Sequence, residues 1–586
     1  MIDDVVPDKA TYRPGEPARV MIRLTNDRAG PLSGRIVLAL RHLDQEVSRY
    51  EQVVEVGPGP DASAELTFNF TPPPVPFRGY GLDATLYDAG GQVLAEGSGA
   101  LDVLEHWAQA PRYGFLSDFA PGQPDAQVQA RCDSLCRYHL NVVQFYDWMW
   151  RHYKLLPPPG VEEFTDAMGR RLSLHSVKAA IKGVQARGGA AMAYGAVYGA
   201  EPEFATAHPG LMLYDEQGEP ISLDRLFYIM NIAPDSPWVP LIVGEFAEAV
   251  RVMGFDGIHL DQYGFPETAV TAEGKRVELA AHFPPLIEAA HTAVARAAAA
   301  VGRSGAGVIF NAVGNWPIEA VAPTNQDAVY IEVWPPYTSY NHLRDLITKG
   351  RRLSGDKQVI LAAYLSPFAQ AAEEDLPQAE AAALLATAAI AASGGSHLLL
   401  GERDGVLCDP YYPGYARLRP AFVGRMKAYY DFLVRYEELL VAPDLQDWHI
   451  EQDRDGQGFA RYSDGNGDRE SYSLQGVPWS TQAEAGKVWL IARYRPGYRI
   501  VHLINLADQS EVAWNAPRTP PDRLNNITLA LDGLPPIRQA MLLTPDAHRG
   551  KPLPVQCNTQ GNATYIHIPH LDIWSVVACA CEGDPA

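Results

Sequence analysis

The stretch from Gly254 to Gly264, with the sequence GFDGIHLDQYG, is the most informative about the architecture of this chain. Ile258 and Leu260 alternate with small or polar residues, which is the period-two pattern of a β-strand. The apolar face is expected to pack on helices, whereas the other face ends in the carboxylate of Asp261. In a parallel α/β barrel the active site lies at the C-terminal ends of the strands. Asp261 is therefore a candidate catalyst, although a solvated aspartate that opens a βα loop gives the same local pattern.

Strand-like segments alternate with helical segments on both sides of this stretch, between residues 105 and 438. Eight such units predict an α/β protein with a (β/α)8 TIM barrel and enlarged loops. A doubly wound sheet is the alternative, but no GxGxxG motif follows the first strand. The predicted strands are Tyr113–Asp118, Asn141–Trp148, Ala190–Val197, Gly254–Asp261, Gly307–Ala312, Ala328–Trp334, Gln358–Leu365 and Ser396–Glu402. The predicted helical segments include Val128–Tyr138, Ser176–Arg187, Pro240–Met253, Val277–Ala300 and Ala379–Ala392.

The chain before and after the barrel has the short alternating strands and turn residues of all-β domains. Residues 1–104 predict an N-terminal immunoglobulin-like β-sandwich, and residues 439–586 predict a C-terminal β-sandwich. The N-terminal strands are predicted at Ala18–Thr25, Arg35–Leu40, Ala64–Phe70 and Leu82–Tyr87. The C-terminal strands are predicted at Lys487–Tyr494, Arg499–Asn505, Gln539–Leu543, Thr564–Ile568 and Ile573–Ala578.

The composition limits the partners of the protein. Its 586 residues carry a formal net charge of −22, which argues against nucleic acid and anionic membranes and favours a neutral or cationic ligand. The sequence has no run of 18 apolar residues, so no transmembrane helix is predicted. Residues Met1–Lys9 do not resemble a signal peptide, so the protein is expected to be cytoplasmic, or secreted if a leader has been removed. Six cysteines are too sparse for a disulfide framework, so none is predicted. We also expect the protein to be a monomer.

Two acidic clusters, Asp453–Gly458 and Ser463–Asp468, superficially resemble calcium-binding loops. Neither has the spacing and the closing glutamate of the EF-hand pattern, so hairpin turns are predicted instead. The barrel segment contains no cluster of histidine, cysteine and carboxylate residues with the spacing of metal ligands. We therefore expect neither a metal ion nor a cofactor.

Several predicted strands end in residues suited to carbohydrate chemistry. In the sixth strand, VYIEVW at residues 329–334, apolar residues alternate with Tyr330, Glu332 and Trp334, so Glu332 is predicted to point into the barrel. Asp261 and Glu332, on strands that can face each other across the mouth, would supply the nucleophile and the acid/base of glycoside hydrolysis. Aromatic rings stack on sugars, although core packing is the alternative for any single ring. The predicted substrate-binding residues are Tyr146, Asp147, His152, His259, Asn311, Trp334, Tyr364 and Glu402.

Four short motifs resemble those of glycoside hydrolase family 66, which contains dextranases and cycloisomaltooligosaccharide glucanotransferases. The most specific is FYDWMWRH at residues 145–152, which is similar to the strand-two motif of that family. The others resemble its nucleophile strand, its acid/base strand, and its final strand with the following loop. They are Phe255–Asp256–Gly257 leading to Asp261, Glu332 with Trp334–Pro335, and Gly395–His397 with Gly401–Glu402 and Tyr411–Tyr412–Pro413. The resemblance covers the whole barrel, and the two sandwiches fit it as well.

The resemblance implies a retaining mechanism on α-1,6-linked glucan. Asp261 would be the nucleophile, Glu332 the acid/base, and Asp147 would hold hydroxyl groups of the −1 sugar. The family's glucanotransferases usually carry an extra carbohydrate-binding module inserted in the barrel. The interval from Val197 to Gly254 is too short for one, so an endo-dextranase is favoured. The alternatives are a glucanotransferase, a barrel enzyme acting on another α-glucan linkage, and a carbohydrate-binding protein without turnover.

Overall fold

A curled, mostly parallel sheet of eleven strands lies at the centre of the computed structural model, which describes residues 1–26, 29–59, 62–448, 460–463 and 469–582. Its strands are β1 Tyr113–Leu116, β2 Val142–Phe145, β3 Ala190–Ala196, β4 Gly257–Asp261, β5 Gly307–Val313, β6 Ala328–Glu332, β7 Val359–Ala362, β8 Ser396–His397, β9 Leu400–Gly401, β10 Gly405–Val406 and β11 Ala416–Arg417. Strands β1 to β8 are parallel neighbours in chain order, and β9 pairs in parallel with β1. All eight predicted strands lie in this sheet. The mixed α/β class is therefore confirmed, while the complete barrel stays a prediction.

The two faces of the central sheet have different surroundings, as the period-two pattern predicted. Ile258, Leu260 and Val329 are buried in the large core between the sheet and the helices. The inner face holds a second cluster of mostly aromatic and aliphatic side chains, among them Tyr113 and Tyr330. Because these inward side chains alternate with the outward ones, the last residues of β4 and β6 also project inward, at the C-terminal end of the sheet.

Helices cover the outside of the central sheet. They are α1 Asp125–Arg137, α2 Leu174–Ala186, α3 Pro202–Ala207, α4 Trp238–Glu248, α5 Phe283–Ala300, α6 Ile318–Val321, α7 Tyr340–Ser354, α8 Leu376–Ala392, α9 Pro420–Arg435 and α10 Glu437–Leu440. Helix α4 continues as a π-helical segment over Ala249–Met253. The prediction of a helix from Val277 was wrong at its start, because Arg276–Glu278 pairs as a strand with Thr268–Thr271. Within the described residues, every helix is too short or too polar to cross a membrane.

Short strands enlarge the loops at the C-terminal ends of β2, β3 and β4. They form three small antiparallel sheets. The first consists of Glu163–Thr165 and Arg171–Ser173, the second of Gly199–Ala200, Ser222–Leu223 and Phe227–Ile229, and the third of Leu213–Tyr214, Thr268–Thr271 and Arg276–Glu278. The enlarged loops predicted for the barrel therefore carry structure of their own.

The N-terminal segment folds into two antiparallel sheets that enclose a core separate from that of the central sheet. The sheets contain Ile2–Pro7, Ala18–Thr25 and Ser63–Phe70 in one, and Leu32–His42, Gln45–Val56, Arg78–Asp88 and Val93–Val103 in the other. The four strands predicted here are all present, and three of them extend beyond the predicted bounds.

The C-terminal segment also forms two sheets around a core of its own. One contains Gln446–Asp447, Trp479–Ser480, Lys487–Arg495, Tyr498–Leu506, Ile537–Leu543, Leu553–Pro554 and Trp574–Cys581, and the other Ala460–Ser463, Arg469–Gln475, Leu524–Asp532, Cys557–Gln560 and Ala563–Leu571. The turns predicted at Asp453–Gly458 and Ser463–Asp468 lie outside the described residues, apart from Ser463.

Candidate active site

A cavity of about 790 Å³ opens at the C-terminal ends of the central strands. Nine of the ten residues predicted for the site line it, although they come from five different strands or from the loops that follow them. They are Tyr146, Asp147, His152, His259, Asp261, Asn311, Glu332, Trp334 and Tyr364. The residues that the strand ends predicted separately are thus brought together around one space.

Asp261 and Glu332 are bridged by a single side chain. The Nδ2 amide of Asn311 donates to Oδ1 of Asp261 at 2.7 Å and to Oε2 of Glu332 at 2.8 Å. The two oxygens therefore lie no further apart than the sum of these distances, about 5.5 Å. Since β5 lies directly between β4 and β6 in the sheet, the two carboxylates are next-but-one neighbours. The expectation that their strands face each other across the mouth was wrong.

The two carboxyl groups differ in their readiness to ionise. Burial raises the pKa of Asp261 to about 6, although hydrogen bonds from Tyr194 and Asn311 act against this rise. The Tyr194 hydroxyl donates to Oδ2 of Asp261 at 2.7 Å. Burial and then the nearby Asp261 charge raise the pKa of Glu332 further, to about 7. Because the Asp261 charge raises the pKa of Glu332, the pair favours an ionised Asp261 beside a protonated Glu332, which is the division that a nucleophile and an acid require.

A third carboxylate, Asp147, lies on another wall of the cavity. Its backbone has a φ of 45°, and Nη2 of Arg170 donates to its carbonyl oxygen at 2.8 Å. Burial raises the pKa of the Asp147 carboxyl, while His152 and Arg170 act in the opposite direction. Among the described residues, no side chain donates a hydrogen bond to this carboxylate. Nη2 of Arg170 forms an ion pair with Oδ2 of Asp147 at 3.6 Å, which leaves Oδ1 as the oxygen better placed to accept from groups that enter the cavity.

His152 is oriented by a buried glutamate. Oε1 of Glu201 lies 3.0 Å from Nδ1 of His152 and also accepts from its backbone N–H at 2.8 Å. Burial tends to raise the pKa of Glu201, but hydrogen bonding and charge interaction with His152 outweigh it and lower this pKa. An ionised Glu201 keeps a proton on Nδ1 and points Nε2 toward Asp147, whose Oδ1 lies 4.0 Å away. His152 and Asp147 can therefore present adjacent polar groups to a ligand in the cavity.

Aromatic and other apolar side chains surround the polar groups. Tyr146 stacks on Tyr412 with ring centroids 4.4 Å apart, and Trp334 meets Tyr364 edge-on at 6.3 Å. Trp334 is 37 % exposed, and three further exposed apolar residues line the same cavity. They are Met168, Leu226 and Tyr411. Exposed apolar groups gathered around one cavity mark a binding surface, and rings of this kind suit the apolar faces of sugars.

His259 lies deeper than the carboxylates. Its Nδ1 is 2.9 Å from the Tyr113 hydroxyl, and burial lowers its pKa to about 3. The ring is therefore neutral at working pH and contributes hydrogen bonding rather than charge.

Glu402 does not line the cavity, in contrast to the sequence-based expectation. Its side chain is fully buried, and Oε1 accepts from the backbone N–H groups of Ser117 and Asp118 at 2.9 and 3.0 Å. Oε2 pairs with Arg131 of helix α1 at 2.8 Å. This carboxylate therefore ties the end of β9 to the end of β1 and to α1, and its full burial outside the cavity keeps it from a substrate.

Sequence reasoning missed Tyr194, which holds Asp261 in place. Tyr194 lies on β3 in register with His259 of β4, and it lines the cavity. Its strand reads AAMAYGA, so a single large polar side chain stands among alanines, a glycine and one methionine. That contrast was the available signal, since small residues on a strand of the central sheet leave room for the ring that they flank. Within the described ranges, no group of three or more histidine, cysteine or carboxylate side chains is arranged to hold a metal ion.

Comparison with known proteins gives matches over almost the whole chain. Glycosyl hydrolase family 66 matches residues 7–578. A cycloisomaltooligosaccharide glucanotransferase of Niallia circulans is 25% identical over 720 residues, covering 98% of this chain and 72% of the relative. A dextranase of Streptococcus salivarius is 23% identical over 513 residues, covering 77% of this chain and 60% of the relative. The crystal structure of a Paenibacillus sp. cycloisomaltooligosaccharide glucanotransferase with cycloisomaltoheptaose has a TM-score of 0.88 at 23% identity, covering 98% of this chain and 99% of that chain.

Proposed function

The chain belongs to glycosyl hydrolase family 66, and from this premise we propose that it is an endo-dextranase that cleaves internal α-1,6-glucosidic linkages with retention of configuration. The membership agrees with the motif at residues 145–152, and it makes the protein an enzyme that acts on glucans. The linkage, the hydrolytic outcome, the internal cleavage and the retention of configuration are the proposed part. The single observation that carries the proposed catalytic pair is the Asn311 bridge between Asp261 and Glu332.

The proposed mechanism has two steps. In the first, a carboxylate oxygen of Asp261 attacks the anomeric carbon while Glu332 gives its proton to the departing glycosidic oxygen. In the second, the ionised Glu332 takes a proton from water, and the resulting hydroxide displaces Asp261 from the anomeric carbon. The upper bound of about 5.5 Å between the bridged oxygens fits the ~5–5.5 Å spacing of retaining enzymes and is below the ~6.5–9.5 Å of inverting ones.

We propose that the central sheet closes as a (β/α)8 barrel, residues 105–438, between sandwiches of residues 1–104 and 439–586. Strand β8 pairs with β7, and β9 pairs with β1. Only Leu398 and Leu399 separate β8 from β9, so one stretch of chain joins both ends of the parallel sheet. The separate cores of the two flanking segments support the domain bounds.

Hydrolysis rather than cyclisation is proposed from a difference in length. The match to the Niallia circulans glucanotransferase runs over 720 residues, whereas this chain has 586. The relative therefore carries segments within the matched region that this chain lacks. The same difference agrees with the short interval between Val197 and Gly254. Cyclic products remain the second candidate, because that relative bears the name of a glucanotransferase.

The first prediction is the activity itself. We expect the protein to release reducing ends from dextran but not from starch or pullulan, and to give linear isomaltooligosaccharides whose first-formed anomer is α. Reducing-sugar assays, chromatography for cyclic products and proton NMR of the early products measure these outcomes. The Asp261→Asn protein, expressed and purified in the same way, controls for contaminating enzymes. Cleavage of starch alone, a β-anomer, or cyclic glucans as the main product would each contradict the proposal.

The second prediction concerns Asp147. We propose that its carboxylate accepts hydrogen bonds from hydroxyl groups of the −1 sugar. Asp147→Ala should therefore lower kcat/KM on dextran by about 100-fold, because buried hydroxyl groups left unpaired cost ~1–3 kcal/mol each. The melting temperature should stay close to that of the wild type. Asp345→Ala, which changes an exposed aspartate on α7, is the matched control. A large loss of stability with kcat/KM unchanged would make Asp147 a packing residue.

A further inference from the structure

A segment of the C-terminal sandwich lies against the loop that follows β6. The backbone N–H of Trp514 donates to the carbonyl of Thr338 at 3.1 Å, and its indole Nε1–H donates to the carbonyl of Tyr337 at 2.7 Å. The backbone N–H of Tyr340 donates in return to the carbonyl of Val512 at 3.1 Å. Three hydrogen bonds therefore hold this loop at a segment nearly 200 residues further along the chain.

The same segment also holds the loop that follows β7. Oδ1 of Asn515 accepts from the backbone N–H of Ser366 at 2.8 Å and from its hydroxyl at 3.0 Å. Ser366 lies two residues beyond Tyr364, and Tyr337 lies three residues beyond Trp334, so both contacts are close to a ring of the cavity. Residues 512–515 thus connect the two loops that carry the aromatic wall of the cavity.

This aromatic wall encloses Glu332. Trp334 and Tyr364 meet edge-on, and both line the cavity beside the carboxyl group. Burial, to which these rings contribute, raises the pKa of Glu332, while hydrogen bonding from Trp334 and Tyr364 moves it in the opposite direction. A shift of either loop would change how much water reaches Glu332 and how its proton is aimed.

We propose that Trp514 and Asn515 are positioning residues of the active site, which hold Trp334 and Tyr364 around Glu332. The C-terminal sandwich then completes the acid/base wall of the cavity and is part of the catalytic unit. This inference rests on the proposed function, in which Glu332 protonates the leaving group. Neither residue lines the cavity, so both act through the loops that they hold.

Four variants test the proposal. Trp514→Phe removes the indole N–H and keeps an aromatic ring, and Asn515→Ala removes the acceptor for Ser366 at an exposed position, where folding is not at risk. Asn515→Asp keeps an oxygen that can accept both hydrogen bonds. Trp574→Phe is the matched control, because Trp574 is a buried tryptophan of the same sandwich that packs on Phe432 of α9.

Comparing two substrates distinguishes a loss of Glu332 positioning from a general loss of active structure. We expect Trp514→Phe and Asn515→Ala to lower kcat on dextran about 10-fold, because small misplacements near the reacting atoms are costly. On a 4-nitrophenyl α-isomaltoside, whose leaving group needs little protonation, kcat/KM, which reports the first step, should change less than about 2-fold. The alkaline limb of the pH profile should move to lower pH, because entry of water reverses the effect of burial on Glu332. Asn515→Asp and Trp574→Phe should behave like the wild type.

Hydrogen exchange measures the contact without reference to catalysis. Amides of residues 333–340 and 364–366 should exchange faster in Trp514→Phe and Asn515→Ala than in the wild type or in Asn515→Asp. Equal losses on both substrates, an Asn515→Asp protein as impaired as Asn515→Ala, or unchanged exchange would each overturn the proposal. If the wild type cleaves neither substrate, the proposed function fails, and this inference about catalysis is overturned with it. Faster exchange in that case would show that the contact exists apart from the function.

Discussion

Asp261→Asn is expected to lower kcat on dextran by about 10⁴-fold or more, which is the scale seen when the nucleophile of a covalent mechanism is removed. Asparagine has nearly the same shape as aspartate, so it can still meet the Tyr194 hydroxyl and the Asn311 amide. It cannot form the glycosyl-enzyme, because an amide oxygen is a far weaker nucleophile than a carboxylate. Reducing-sugar release and a thermal melt on the same sample measure the two properties together.

The stability of this variant has an expected sign. The pKa of Asp261 rises from its ordinary value of 3.8 to about 6 in the folded protein, so folding favours its protonated form. The stability contributed by this group is present below pH 3.8 and is lost as the pH rises to about 6. Asp261→Asn removes that loss. The variant should therefore melt at a higher temperature than the wild type at pH 7.5, and the difference should shrink toward pH 4.

A control for Asp261 lies on the approach to the same strand. Asp256 is at the opposite end of β4, where it accepts from the backbone N–H of Ala191 at 2.8 Å and pairs with Arg303. Asp256→Asn should keep near wild-type kcat, even if it melts somewhat earlier. If the Asp256 and Asp261 variants lost activity to the same degree, the strand rather than the nucleophile would be the explanation, and the assignment of Asp261 would fail.

The inward positions of Asp261 and Glu332 were predictable because alternation is a local property. Apolar residues at every second position of β4 and β6 fix which side chains face the helices, so the carboxylates must face the other way. Tyr146 and Asn311 fit the same alternation at the ends of β2 and β5, whereas Asp147, which follows Tyr146 directly and has a φ of 45°, was suggested by the resemblance of its motif to the family. The alternation involves only a few neighbouring residues, so the sequence contains everything needed to predict which face of the strand each side chain lies on.

Glu402 shows where that reasoning stops. Asp261 is the last residue of a strand and Glu402 directly follows one, but Arg131 of α1 and the backbone N–H groups of Ser117 and Asp118 bind the carboxylate of Glu402. These partners are more than 270 residues away in the chain, so no local pattern announces them. The contacts of Trp514 and Asn515 with the catalytic loops are hidden for the same reason. Whether a carboxylate at the end of a strand faces the cavity or is bound by other side chains depends on partners that come close only in the folded chain.

Glu332→Gln is expected to lower kcat on dextran by about 10²–10⁴-fold, the usual contribution of general acid–base catalysis. The side-chain oxygen of glutamine can still accept a hydrogen bond from Nδ2 of Asn311. Asn311 can therefore still connect residue 332 to Asp261. On a 4-nitrophenyl α-isomaltoside the first step needs little protonation, so the glycosyl-enzyme should form and then accumulate, because its hydrolysis lacks a base. Stopped-flow release of nitrophenol should therefore show a burst followed by a slow steady state.

The pH profile connects this variant to the electrostatics of the pair. With pKa values of about 6 for Asp261 and about 7 for Glu332, kcat/KM of the wild type should peak between pH 6 and 7 and fall on both sides. In Glu332→Gln the alkaline limb should disappear on the nitrophenyl substrate, because the group that must stay protonated is gone. The acid limb should remain, because Asp261 must still ionise to attack. An alkaline limb that persists unchanged in the variant would mean that another acid donates the proton, and the search would then begin at Asp147.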